Sequence, residues 1–147
     1  MENAKQVVVL RLGDARYGIP IDQVNEIIRY IAPARIPKAP GYMEGIISLR
    51  GKVLAAVNLR TLLGMDKKEA DENTKIIIAG GSNMGFIVDD VDMIVTPGDD
   101  ETDSAAGLPG YIDGSFVTRI LKINGEIIIV LNMASMLNMG EKAKAAV

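Results

Sequence analysis

The chain has 147 residues, 48% of them apolar, and a formal net charge of -3. That is one domain's length with enough apolar material for a packed interior, and its mild acidity gives no attraction to nucleic acid or to an anionic membrane. Cysteine and histidine are both absent, which excludes a disulfide framework, a thiolate nucleophile, a cysteine-ligated zinc site and histidine-based acid–base or metal chemistry.

No apolar run approaches the ~20 residues needed to span a bilayer. The opening MENAKQVVVLRLG turns strand-like early and soon carries Arg11 and Asp14, unlike a signal peptide, so a cytoplasmic location is expected. Val7 to Leu12 reads as a strand, Gly13 to Arg16 as a turn, and Tyr17 to Ile21 as the returning strand, with Pro20 marking an edge or a strand end. Asp22 reads as the cap of one helical turn through Gln23 and Val24, followed by a β run from Glu26 to Ile31. Pro33, Pro37 and Pro40 make the next segment extended.

Gly45 to Gly64 (GIISLRGKVLAAVNLRTLLG) reads as strand, tight turn at Arg50-Gly51-Lys52, buried apolar strand and short helix. Gly51 supplies the positive φ of the turn, Asn58 caps the helix, and Gly64 stops it. Asp66 to Asn73 is charged and lacks an apolar face, so it is a solvated linker. Lys75 to Ala79 and Met84 to Val88 form a hairpin, and Asp89 to Val95 comes next. Thr96 to Gly110 is rich in Gly, Asp, Ser and Pro and reads as a mobile acidic loop. Phe116 to Ile123 and Ile127 to Leu131 form a hairpin around Asn124-Gly125, a strong turn signal. A helix runs from Asn132 to about Met139, with a helix-compatible tail.

The chain also repeats itself. Tyr17 to Ile27 lies over Met84 to Ile94, Tyr42 to Gly45 over Tyr111 to Gly114, and Gly51 to Leu59 over Gly125 to Met133, in the same order. Each copy supplies about five short strands, the inventory of a small barrel whose core is marginal alone. The expectation is therefore a mainly all-β single domain over 1–147. It consists of two pseudo-symmetric five-stranded barrels with short helices and a groove between them. The first copy spans about 14–65 and the second about 75–139, with exchange of terminal segments between barrels allowed. Residue types kept in both copies (Gly18 and Gly85, Asp22 and Asp89, Gly51 and Gly125, Asn58 and Asn132) answer a shared structural need. Glu26, Arg50 and Arg60 lie over Met93, Asn124 and Ala134, so the fold alone does not demand their charges.

No nucleophile-elbow, P-loop, HExxH or dinucleotide-binding motif is present. Gly80-Gly81 suits a hairpin turn better than a phosphate cradle. Asp99, Asp100, Glu101 and Asp103 lack the ordered spacing of a calcium loop. No metal site, cofactor or catalytic residue is expected. Met133, Met136 and Met139 at helical spacing are core residues by default, or else an adaptable contact surface.

The run IPKAPGYMEGIISLRGKVLAAVNLRTLLGM (Ile36 to Met65), with Tyr17-Gly18-Ile19, Val24-Asn25-Glu26-Ile27 and Met84 to Val91, resembles the CheW family of chemotaxis adaptors over nearly the whole chain, Val7 to about Leu137. Ala55 stands where the family usually has proline, and Asn58 where it usually has aspartate. The resemblance implies two five-stranded SH3-like barrels in a CheW-like fold and no catalysis. It implies an adaptor that couples chemoreceptors (methyl-accepting chemotaxis proteins) to a histidine kinase. The implied partners are the receptor's cytoplasmic tip, bound in the groove, and the regulatory domain of the kinase CheA, with no nucleic acid and no membrane insertion. The implied location is cytoplasmic, in receptor arrays at the inner face of the membrane. The implied receptor-binding positions are Val24, Glu26, Ile27, Gly45, Arg50, Gly51 and Gly85, with Arg60 as an additional contact. Val24 and Ile27 offer apolar area to a helix, while Glu26 and Arg50 set charge complementarity. The alternative is a CheW-like docking or regulatory module of another two-component system.

Overall fold

The structure is a computed structural model and describes residues 6–98, 102–104 and 114–145. Strands β1 (Val7–Leu12) and β2 (Ala15–Pro20) form a hairpin, and a 3-10 turn at Ile21–Gln23 leads into β3 (Val24–Arg29). Next come β4 (Met43–Leu49), β5 (Lys52–Asn58) and the one-turn helix α1 (Leu59–Leu62). The second half runs through β6 (Lys75–Ala79), β7 (Met84–Val88), β8 (Asp90–Val95), β9 (Thr102–Ser104), β10 (Val117–Ile123), β11 (Glu126–Leu131) and α2 (Met133–Ala145).

The strands form a five-stranded sheet in the order β3-β6-β7-β5-β4 and a six-stranded sheet in the order β8-β1-β2-β11-β10-β9. This is the mainly β, two-sheet architecture that the sequence leads one to expect. The five-stranded sheet curls on itself. Just past β3, Ala34 exchanges backbone hydrogen bonds of 2.8 and 2.9 Å with Ile46 of β4, at the opposite end of the sheet. In the other sheet β9 makes the corresponding contact, pairing Asp103 with Ile120 of β10. A short strand thus lies inside the segment that composition marks as a loop. Asp99 to Glu101 and Ala105 to Gly110 of that acidic segment fall outside the described residues.

The duplication is visible strand by strand. Replacing β8, β1, β2, β11 and β10 by β3, β6, β7, β5 and β4 turns one sheet order into the other. Each sheet contains one parallel pair, and the registers correspond: Val130 opposite Gly18, Ala56 opposite Gly85. The β1–β2 hairpin lies with β8, β10 and β11, while β6–β7 lies with β3, β4 and β5. Each sheet therefore draws strands from both halves of the chain.

One block of the repeat has a different register from the one its residue types suggest. The Asn58 N–H donates to the Tyr42 carbonyl at 2.7 Å and the Asn132 N–H to the Phe116 carbonyl at 2.7 Å. Met43 pairs with Val57 and Val117 with Leu131. Tyr42 thus corresponds to Phe116, not to Tyr111. The shared tyrosine and glycine of the two blocks are short coincidences, whereas strand pairing counts residues.

Three apolar clusters explain the continuous apolar runs. Ile47, Leu54, Ala56, Ile76, Ile78 and Ile87 fill the five-stranded barrel. Val7, Val9, Leu121, Ile128 and Val130 fill the other. The largest cluster takes Leu10, Leu12 and Ile19 from one sheet, Val57, Ile77 and Phe86 from the other, and Met133 and Met136 from α2. Central strands are therefore buried on both faces, one inside a barrel and one in the seam, so neither face alternates with polar residues. Met136 is fully buried, which settles the methionine stripe as core at that position.

Helix ends behave as their side chains dictate. Asn58 accepts from the Thr61 N–H at 3.1 Å and Asn132 from the Ser135 N–H at 3.2 Å. Helix α2 continues to Ala145, past the expected end at Met139, since Glu, Lys and Ala are strong helix formers. Asp22 is not a cap: the 3-10 turn begins after Pro20 and has no side-chain cap hydrogen bond.

Candidate interaction surface

Edge strand β3 carries three of the implied contact residues. Its residue Asn25 is bulged out of the pairing with β6, since Val24 pairs with Ala79 and Glu26 with Ile78. The bulge re-aims the side chains beyond it. Val24 packs against the seam cluster, Ile28 packs into the barrel cluster, and Ile27 remains 37% exposed.

Glu26 and Arg50 meet. The Arg50 guanidinium donates to the Glu26 carboxylate from the β4–β5 turn, joining the two ends of the five-stranded sheet. The pair lines a cleft of about 280 Å³ with Asn25, Leu49, Lys52, Leu54 and Ile78. Glu26 therefore lines a concavity at one barrel mouth. The shared apolar cluster joins the two barrels at their seam.

Arg50 has φ +50° and Gly51 φ +81°, and their counterparts Asn124 and Gly125 have +52° and +79°. Both hairpins thus use the same left-handed two-residue turn. Asparagine tolerates that region, whereas an arginine costs about 1–2 kcal/mol there. The exposed Arg50 side chain, engaged with Glu26, offsets part of that strain.

The implied glycines shape the surface and do not all reach it. A Cβ on Gly45 (φ +149°) would lie 2.1 Å from the Ala34 carbonyl oxygen. Gly45 therefore permits the bridge that closes the barrel. Gly85 is buried in central β7, and a Cβ there would sit 2.7 Å from Ile76 Cγ2. Gly51 is exposed, with open space where a Cβ would go.

Arg60 has a structural partner that the sequence pattern does not name. Its Nε and Nη2 donate to Asp89 at 2.8 and 2.6 Å, and its Nη1 donates to the Asp66 carbonyl at 3.1 Å. Asp89 also accepts from the Gly13 N–H at 2.7 Å. Desolvation pushes the Asp89 carboxyl up, but the hydrogen bonds from Arg60 and Gly13 and the charges of Arg60 and Lys68 outweigh it and hold the pKa below the ordinary value. The hydrogen bond to Asp89 likewise raises the Arg60 pKa further. Half of the signal was present: Arg60 has no charged counterpart in the second half, whereas Asp89 was matched to Asp22 and read as structural.

The two departures from the family pattern also find partners. Ala55 donates its N–H to the Asn83 carbonyl at 2.9 Å, which a proline cannot do. Asn58 donates its Nδ2 to Glu44 at 2.9 Å, where an aspartate would set two carboxylates together. Glu44 is paired again with Lys67 at 3.0 Å. Asn58, Glu44 and Lys67 line a polar cleft of about 270 Å³ with Tyr30, Arg60 and Asp89. Among the described residues no cluster of carboxylates has a metal-binding arrangement.

Large apolar side chains are exposed elsewhere: Met93 at 44% and Ile94 at 53% on β8, Val53 at 60% and Ile127 at 61% at the starts of β5 and β11. Val53 and Ile127 are counterparts under the duplication, as are Glu26 and Met93.

Comparison with known proteins places this architecture. The chain is 29% identical over 143 residues to a chemotaxis protein CheW of Rhizobium meliloti (strain 1021), covering 96% of this chain and 92% of that one. It is 27% identical over 150 residues to the chemotaxis protein CheW of Bacillus subtilis (strain 168), covering 100% and 95%. The crystal structure of the scaffolding protein TtCheW from Thermoanaerobacter tengcongensis superposes with a TM-score of 0.79 at 31% identity, covering 87% of this chain and 88% of that one. The family model described as CheW-like domain matches residues 6–141, and the chain accordingly belongs to the CheW-like family.

Proposed function

We propose that this protein is a non-catalytic adaptor that couples the cytoplasmic tip of a chemoreceptor to the regulatory domain of the chemotaxis histidine kinase CheA. The observation that carries this reading is the full-length match to chemotaxis CheW proteins and a CheW scaffold. The surface agrees with it. Val24 and Ile27 lie on either side of the bulge in an edge strand, and the Glu26–Arg50 pair sits at an open cleft. That combination suits an amphipathic helix carrying a complementary charge. Val24, Glu26, Ile27 and Arg50 are the direct contacts in this reading. Gly45, Gly51 and Gly85 hold the backbone that presents them, and Arg60 acts within the fold. Such an adaptor works in the cytoplasm, within receptor arrays at the inner face of the membrane. No described helix is long and apolar enough to cross a membrane.

The test is an NMR titration of the labelled protein with a folded receptor-tip fragment from the same organism. Shifts centred on Val24–Ile27 and Gly45–Gly51 are expected. Glu26→Ala weakens binding by roughly ten- to a hundredfold if a charge-assisted contact is lost, with the fold intact by circular dichroism. Absence of shifts at high fragment concentration refutes the receptor contact.

A further inference from the structure

The connection from β3 to β4 is fixed at both ends. Ala34 is bonded to Ile46 by the barrel-closing bridge, and the Met43 N–H donates to the Pro40 carbonyl at 2.9 Å. Between these points Ile36 and Ala39 pack against the seam cluster, while Arg35 and Lys38 are exposed. The Ala39 N–H donates to the Ile36 carbonyl at 3.4 Å, closing a turn in which Lys38, directly after Pro37, has φ +67°. Proline followed by a residue of positive φ is the pattern of a type II turn, whose second central position favours glycine or asparagine. A lysine there strains the backbone. Strain that the surrounding structure enforces marks a residue worth testing for function.

The strained lysine borders a concavity. Arg35, Lys38 and Lys67 line a pocket of about 390 Å³ with Pro37, Pro40 and Glu44. Glu44 is already engaged, by Lys67 at 3.0 Å and by Asn58 Nδ2 at 2.9 Å. Arg35 and Lys38 make no ion pair or side-chain hydrogen bond among the described residues. Three cations against one carboxylate leave the pocket positive, in a chain whose net charge is -3. It shares no lining residue with the Glu26–Arg50 cleft.

We propose that this pocket is a second docking site, which takes an acidic segment of a partner protein through two carboxylates, one on Arg35 and one on Lys38. Phosphate sites draw on backbone N–H groups, and Pro37 and Pro40 have none to give. The rim offers instead a planar guanidinium, which matches a carboxylate in two-point geometry, and an ammonium that acts as a point charge. The two cations stand on a connection anchored at both ends, so their backbone spacing is set before the partner arrives.

An NMR titration of the labelled full chain with a capped tetraglutamate peptide tests this, with capped tetraglutamine and inorganic phosphate in parallel. Tetraglutamate shifts the amides of Arg35, Lys38, Ala39 and Gly41, and the shifts shrink as salt is added. Tetraglutamine leaves those amides in place, and phosphate at equal concentration shifts them less. Arg35→Gln and Lys38→Asn each weaken tetraglutamate binding by roughly two- to fivefold, the range of one exposed ion pair. Lys38→Asn does so without lowering the urea midpoint, because asparagine tolerates the left-handed region. A lower midpoint in Lys38→Asn would mean that the lysine serves the fold, and overturns the inference. So does an absence of shifts with tetraglutamate, or shifts spread evenly over the exposed lysines. An equal response to tetraglutamine, a stronger one to phosphate, or unchanged affinity in either variant overturns it as well.

Discussion

Gly45→Ala separates a barrel-closing role from a contact role. The new Cβ would sit 2.1 Å from the Ala34 carbonyl oxygen and 2.7 Å from its carbon. Both are backbone atoms, so no side-chain rotation relieves the clash. The Ala34–Ile46 bridge must open, breaking hydrogen bonds of 2.8 and 2.9 Å, each worth about 0.5–1.5 kcal/mol net. The φ of +149° adds strain for any residue with a Cβ, taken as about 1–2 kcal/mol. Together these reach about 3–4 kcal/mol, a large share of the roughly 5–15 kcal/mol typical of a domain. With a urea slope of roughly 2 kcal/mol/M the unfolding midpoint falls by about 1.5–2 M. Gly51→Ala is the control. It meets open space at φ +81°, so it incurs only the strain, about 1 kcal/mol. Urea unfolding monitored by circular dichroism reads both. A Gly45→Ala midpoint equal to that of the parent, or higher than that of Gly51→Ala, refutes the view that Gly45 is kept for barrel closure.

Gly85→Ala inserts a methyl 2.7 Å from Ile76 Cγ2 and 3.1 Å from Ile78 Cδ1; it destabilises by about 1–3 kcal/mol through overpacking. Adding Ile78→Val restores part of that loss, and strictly additive effects in a double-mutant cycle would show that the two do not touch. Acid stability tests the Asp89 contact. Its carboxyl is held below the ordinary value of about 3.9, so its stabilisation is complete above that pH and disappears as pH falls through the lowered folded-state pKa. As pH falls below about 4, the parent protein therefore loses stability more steeply than Arg60→Met. Parallel pH profiles for the two would contradict the assignment.

Local chemistry decides much of this protein. Alternation and apolar runs place β1, β5, β6, β7 and β11 because strands buried on both faces read as unbroken apolar stretches. The Arg50-Gly51 and Asn124-Gly125 turns are legible because few residue pairs occupy that geometry. Comparing the two halves singles out Glu26, Arg50 and Arg60 as charges the fold does not demand, and the GIISLRGKVLAAVNLR block supplies the family resemblance. Partner choice is a different matter. Glu26 and Arg50 are joined because the sheet curls until its two ends meet, which no local pattern encodes. Arg60 finds Asp89 because the β1–β2 and β6–β7 hairpins are exchanged between sheets. Asp22 and Asp89 look alike in sequence, yet only one has an arginine within reach. β9 reads as loop in the sequence because Thr102–Ser104 gains its strand geometry from pairing with β10, not from its own composition. Hydrogen bonds between residues far apart in the chain depend on how the backbone closes, and that is settled only when both apolar faces of each central strand have been buried.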